Sequence, residues 1–309
     1  MCGVRWMTRG QPGQFILAGS AVPADDLTRH TGAGRLSRLR MRPHDAVRDR
    51  PRDRRGVPAG SAGRREPARC PDPGLTVHDL AKRVAAGGWP GHLGLTSDQA
   101  IRAVRDYLEE IRRTDISRVD GNQRDPERVG RLLRSLARNV ATHVATTTLA
   151  ADAGGADGTL DDDTARAYLT ALERLMIVED QPAWAPHLRS RSILRRGPKR
   201  HFADPSLAVA ALRATPQHLL RDLNLFGLLF ESLVVRDLRV HAQAMEGTVY
   251  QYRDNTGLEV DAVVELADGR WGAFEVNSAP GWPMREPRRS AGSPRAWTSG
   301  DAASPPYSP

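Results

Sequence analysis

The stretch 258–277 constrains this chain most. Leu258 to Leu266 and Arg270 to Asn277 each alternate polar and apolar residues, the period-2 pattern of a half-buried strand. Ala267, Asp268 and Gly269 join them. A three-residue loop ending in glycine suits a type I turn plus a bulge, because glycine accepts the left-handed conformation. That loop sets Asp261 opposite Glu275 and Glu259 opposite Asn277. Val260, Ala262, Val264, Phe274 and Val276 then share the other face, read as core. A register one residue different would put the two acids on opposite faces.

Two carboxylates set directly opposite destabilise a sheet unless a cation lies between them. Two readings follow. In one, Asp261 and Glu275 are hard oxygen ligands of a divalent metal such as Mg²⁺. That metal would orient water for phosphodiester hydrolysis. In the other, the acids form a solvated polar face and Arg253 or Arg270 relieves the repulsion.

Upstream the chain reads mostly helical. Residues 76–86 suit a helix stopped by Gly87 and Gly88. Ser97 is a candidate cap for a helix to about Arg113, with Ile101, Val104, Leu108 and Ile111 on one face. Asp125, Pro126 and Glu127 form a strong helix start, followed by Val129, Leu132, Leu133, Leu136 and Val140. A short helix over 147–153 follows, then one capped at 161–163 that carries Tyr168, Leu169, Leu172, Leu175 and Met176. A strand-like stretch, 176–180, comes next. Three helices and a strand suit either a winged helix or a plain three-helix packing unit. The third helix carries Arg166 and Arg174 but also Asp163 and Glu173, little net charge for a helix facing phosphates. Residues 186–277 read as α/β, with a helix over 226–241 that carries Glu231 and a short strand over 249–252. Near the start, residues 14–21 read as a short buried strand.

The interval 44–70 differs. It contains no Leu, Ile, Phe, Tyr or Trp and is rich in Arg, Pro and Gly. It lacks the apolar surface to offset chain entropy. A disordered basic loop and a nucleic-acid arm are both open readings.

The formal net charge is +8, and its placement matters more than its size. Residues 1–70 hold 15 basic and 6 acidic side chains, whereas 71–277 hold 26 and 29. The basic character lies largely outside the part that reads as folded, so it does not advertise a nucleic-acid surface spread over a domain. No apolar run approaches the length of a membrane span. Cys2 and Cys70 make neither a disulfide framework nor a zinc site by themselves, which fits a reducing cytosol. Arg5 and Arg9 before residues 15–22 imitate a signal peptide, but that run is short and broken by Gly19 and Ser20. The expected location is cytoplasmic, without a membrane partner.

Several short motifs occur in a telling order: Ala137 through Ala151, Tyr168 through Leu175, Lys199 through Asp204, Gly227 with Glu231, and Gly257 through Asp261 followed by Phe274, Glu275 and Val276. Together, residues 127–277 resemble the C-terminal region of prokaryotic AAA-type ATPases that carry domain of unknown function 4143. Gly13 through Ser20 resembles the sensor strand of the ATPase core, with Ser20 at the polar, nucleotide-facing place. Gly34 through Pro43 resembles the following strand. Gly87 through Gly91 and Arg113 through Ile116 resemble the region after the core.

The resemblance implies a mixed α/β architecture. Its parts would be a remnant of an AAA-type ATPase core (1–43), a disordered or frame-shifted Arg-rich segment (44–70), a helical lid-like region (71–126), a winged-helix-like module (127–185), a restriction-endonuclease-like α/β domain of the PD-(D/E)XK type (186–277) and a disordered tail (278–309). It maps the catalytic acids of that last fold onto Glu231, Asp261 and Glu275. The family pattern has a lysine two residues after the last acid, where this chain has Asn277.

The intact family uses ATP and Mg²⁺. No G-x-x-x-x-G-K-[ST] occurs in this sequence, and the strand with Walker B acids is absent. Phosphoryl transfer then lacks its main electrostatic stabilisers. The chain is expected to be a truncated relative that does not hydrolyse ATP alone, with Mg²⁺ its only cofactor if it has one. Residues 44–67 and 278–309 read as GC-rich coding sequence in a wrong frame, or as natural linker and tail. Three functions stay open: a C-terminal region that binds DNA or a protein partner, a Mg²⁺-dependent nuclease using Glu231, Asp261 and Glu275, and a regulatory DNA-binding module over 127–185.

Overall fold

The structure is a computed structural model and describes residues 16, 18–21, 37–45, 74–185, 197–254 and 257–276. Helix α1 (Val77–Ala86) starts from a reciprocal cap: Thr76 Oγ1 accepts from Asp79 N, and the Asp79 carboxylate accepts from Thr76 N. Gly87, at φ 74°, ends it. Helix α2 (Ser97–Glu110) is capped by Thr96 with Gln99, one residue ahead of the expected Ser97: Thr96 Oγ1 accepts from Gln99 N, and the Gln99 side chain reaches back to Thr96 N and Oγ1. It runs into a π-helical turn, Ile111–Asp115, and a short helix α3 (Ile116–Arg118). Helix α4 (Pro126–Arg138) begins at Asp125 as the sequence predicts, and it buries Val129, Leu132, Leu133 and Leu136. Helices α5 (Thr146–Gly154) and α6 (Asp162–Arg174) follow.

Helix α7 (Pro205–Ala211) is buried from Pro205 through Ala210, which explains its apolar run and its central place against α1, α2 and α4. Helix α8 (Pro216–Arg221) leads into α9 (Leu223–Gln243). Strands β1 (Thr248–Arg253), β2 (Glu259–Glu265) and β3 (Trp271–Phe274) form one antiparallel sheet in that order.

Two hydrophobic clusters result. The larger gathers side chains from α1 through the first half of α9, including Phe226, Leu229 and Leu233. The smaller joins Val235, Leu238 and Ala242 of α9 to Val249, Ala262 and Val264 of the sheet. Helix α9 is therefore the beam that carries the hairpin on the helical body.

Three expectations change. Residues 16 and 18–21 form no strand, and Ile16 is 95% exposed; no neighbouring strand is described that could cover it. The 176–180 stretch makes single bridges instead of a strand, through Val178 with Phe202 and, just beyond it, Gln181 with Lys199. In the hairpin, Phe274 is exposed while Val263, on the face expected to be polar, is buried. The reason is tertiary. Residues 182–184 run alongside β1, where Trp184 N donates to Gln251 O and Gln251 N donates to Pro182 O. The Trp184 indole then packs on Trp271, with centroids 4.8 Å apart, and donates to Glu265. That half of the polar face is thereby roofed.

Of the Arg-rich interval, His44 and Asp45 are described, and both are docked. His44 N donates to Gly88 O, and the buried Asp45 pairs with His241. The remainder of that interval, Asn277 and the tail lie outside the described residues.

Candidate functional site: carboxylates around a buried lysine

The hairpin pairs in the register the loop predicts. Ala262 opposes Phe274, Val263 opposes Ala273, and Glu265 opposes Trp271, with Gly269 at φ 83° in the turn. One step further along, Asp261 meets the Glu275 region, and its Oδ2 accepts from Val276 N at 2.9 Å. On its other side β2 carries a bulge. Pairing with β1 shifts between Tyr250–Val263 and Tyr252–Val260, so Asp261 and Ala262 together face Gln251. The bulge releases the Asp261 carbonyl, which accepts from Gln181 Nε2 at 2.9 Å. The same amide donates to Tyr250 O.

Gln181 also positions a group that sequence reasoning did not place here. Its backbone exchanges both hydrogen bonds with Lys199, N to O at 2.9 Å and the reverse at 3.1 Å. Two residues on, His201 Nε2 lies 3.1 Å from Gln181 Oε1 and Nδ1 lies 3.2 Å from Ser232 Oγ. Residues 199 and 201 thus turn the same way, toward α9. The buried Lys199 ammonium lies 2.9 Å from Glu231 Oε1, 3.1 Å from Glu259 Oε1 and 3.4 Å from Asp261 Oδ1. It performs the charge relief expected of Arg253 or Arg270. Arg270 instead folds back onto Asp268.

The electrostatics follow from this crowding. Burial pulls the Lys199 ammonium toward losing its proton, but Glu231, Asp261 and Glu259 together hold it above its ordinary value. Burial pushes Glu231 up to about 7, with Lys199 opposing and Asp261 reinforcing the rise. Glu275, exposed at the rim, also rises to about 7 through the partial desolvation there and the Asp261 charge. Burial would raise Glu259, but Lys199, with His143 and Arg253 behind it, lowers it instead. Burial holds His201 neutral, and the Arg239 and Lys199 charges reinforce this.

The residues expected from sequence therefore converge in part. Glu231 and Asp261 share Lys199, Glu259 joins them, and Glu275 sits beside Asp261. Ser20 lies apart, exposed in a bend at 20–21. The donor chemistry suits a hard cation such as Mg²⁺. Among the described residues no group of three or more His, Cys, Asp or Glu side chains is disposed to hold a metal ion, while the expected site rests on two, Asp261 and Glu275. The Lys199 ammonium occupies the point where the carboxylates meet. The signal that could have found it is its rarity, since Lys82 and Lys199 are the only lysines among 45 basic side chains.

Residues 77–218 match the family model described as Domain of unknown function (DUF8612), which spans α1 to the start of α8. No curated protein and no solved structure matches the chain. A second family model matches from residue 226, so its match is shorter than the resemblance read from sequence, which began at residue 127, and it runs five residues past Asn277. Residues 226–282, which hold most of α9, the hairpin and the carboxylates around Lys199, match the model described as Domain of unknown function (DUF4143), a C-terminal part of AAA-associated families.

Proposed function

We propose that this chain is the binding portion of an AAA-type ATPase-like protein. In this reading it engages DNA or a protein partner and turns over neither ATP nor phosphodiester bonds by itself. The observation that carries the reading is the Lys199 contact set. A cation belonging to the chain neutralises the carboxylates that a metal-dependent phosphodiesterase would leave for Mg²⁺. The DUF4143 match supports the AAA association, and the lack of a phosphate-cradling lysine motif in the sequence supports the absence of ATP turnover.

Metal-dependent PD-(D/E)XK-type hydrolysis is the competing reading. One observation favours it: Glu231 and Asp261 converge on a lysine, the residue type missing at position 277. The regulatory module over 127–185 has less support. Arg166 on α6 is taken up by Asp162 and Asp163, and Arg174 donates to Val119 O.

The purified chain, incubated with supercoiled plasmid, ATP and Mg²⁺ or Mn²⁺, decides between them. The expected result is intact plasmid and no ADP above the protein-free blank. Nicking that disappears in Asp261→Ala would overturn the reading in favour of hydrolysis. ATP turnover that disappears in Ser20→Ala would overturn its other half.

A further inference from the structure

Away from the carboxylates, the segment 38–42 lies against the C-terminal part of α9 and the start of β1. Between them is a cavity of about 310 Å³ lined by Arg40, Arg42, Glu179, Arg239, Gln243 and Thr248, among others. Its charges do not balance. Arg42 grips Glu179 with both ends of its fork, at 2.7 and 2.8 Å. Arg40 reaches the same carboxylate at 3.2 Å and Arg239 at 3.7 Å. Three guanidiniums thus share one carboxylate. Asp180, the other acid on the wall, pairs with Arg200 through Oδ2, and its charge also acts on Arg239, while its buried Oδ1 has no partner among the described residues. Arg239 is 6% exposed, and its Nη2 finds no hydrogen-bond partner among the described residues.

An orphaned buried donor and surplus buried cations are both costly unless an acceptor with negative charge completes them. We propose that this cavity is a binding site for a phosphate-type oxyanion, seated against Arg40, Arg42 and Arg239. Guanidinium forks match the oxygen spacing of phosphate, and charge-assisted bonds of this kind are the strong ones. The scaffold is already built. Arg42 Nε donates to Gln243 Oε1 at 2.6 Å, and Gln243 Nε2 donates to Arg40 O at 2.8 Å, so the arginines are held without the anion. Burial, with Arg42 and Arg40 alongside, pushes the Arg239 guanidinium down to about 10, a strain that a bound anion relieves. Glu179 is the competing anion already inside. Burial would raise it, but Arg42, Arg239 and Arg40 hold it down at about 2. The site stands independently of the carboxylates around Lys199, since it shares no residue with them.

The test uses the full chain and calorimetric titration with inorganic phosphate against chloride of matched ionic strength. The expected result is saturable phosphate binding that weakens about tenfold in Arg40→Gln and is unchanged in Arg102→Gln, an exposed position on α2. Glu179→Gln removes the internal competitor, so it is expected to tighten binding in chain that remains folded by circular dichroism; a purely structural arginine cluster would not respond this way. No phosphate binding beyond the chloride control, or equal affinity in wild type and Arg40→Gln, overturns the proposal. A short DNA duplex supplies the second arm. Duplex displaced by phosphate in wild type assigns the oxyanion to a nucleic-acid backbone, and phosphate binding without duplex binding assigns it to a free oxyanion.

Discussion

A lysine in a chain that otherwise uses arginine is a choice of shape. The Lys199 ammonium is compact and donates in three directions, so it can face Glu231, Glu259 and Asp261 at once; a planar fork pairs best with one carboxylate. Lys199→Met should therefore cost about 3–5 kcal/mol in urea unfolding at pH 8, because it strands buried carboxylates without a cation. Lys199→Arg should recover only part of that. The pH dependence has a definite sign. Glu231 binds its proton more tightly in the folded chain, with its value raised from 4.5 to about 7. Between those values the folded state holds the extra proton, so stability falls as pH rises, on the order of 3 kcal/mol for this group. Glu231→Gln should flatten the slope of melting temperature from pH 5 to 8; an unchanged slope would count against the assignment. Glu179 works in the opposite sense, since its depressed value gives stability that is lost only as pH falls below 4.5 toward 2. None of these partners is adjacent in sequence, and this is why Asp261 and Glu275 were legible from hairpin parity while Lys199 was not.

At the scale of elements, caps and close approaches carry the specificity. Thr96→Ala should cost about 1 kcal/mol and Ser97→Ala a few tenths, because only Thr96 accepts from Gln99 N. The reverse order in chemical denaturation would restore Ser97 as the cap. Gly88 packs so tightly that a Cβ there would lie 2.1 Å from the His44 carbonyl oxygen, whose own amide bonds Gly88 O. Gly88→Ala should lower stability by about 1–3 kcal/mol, with the loss smaller in a chain lacking residues 1–45. Equal losses in the two backgrounds would show that the docking of His44 is not what Gly88 accommodates. The starts of α4 and α6 were readable because an Asp cap and acids in the first turn are local chemistry. The fate of 176–180 was not, because its partner residues at 201–203 are supplied by another part of the chain.

For the whole molecule, α9 decides the architecture by contributing Phe226, Leu229 and Leu233 to the helical cluster and Val235 and Ala242 to the hairpin cluster. The two clusters should unfold together. Of the six tryptophans, Trp89 reports the helical side and Trp184 with Trp271 the hairpin side, so the fluorescence lost in Trp89→Phe and that lost in a Trp184→Phe, Trp271→Phe double variant should follow urea unfolding with coincident midpoints. Separated midpoints would mean that α9 does not couple them. Among the described residues no helix is long and apolar enough to cross a membrane, in line with the composition. Alternation and turn chemistry alone determined the hairpin, its register and the meeting of Asp261 with Glu275, because period-2 pairing around a short loop is a local geometric problem. The tertiary structure alone decided which cation answers those acids, which face of the hairpin is roofed, and that three arginines share Glu179. Each depends on segments brought together by burial from far along the chain, and burial has no local signature.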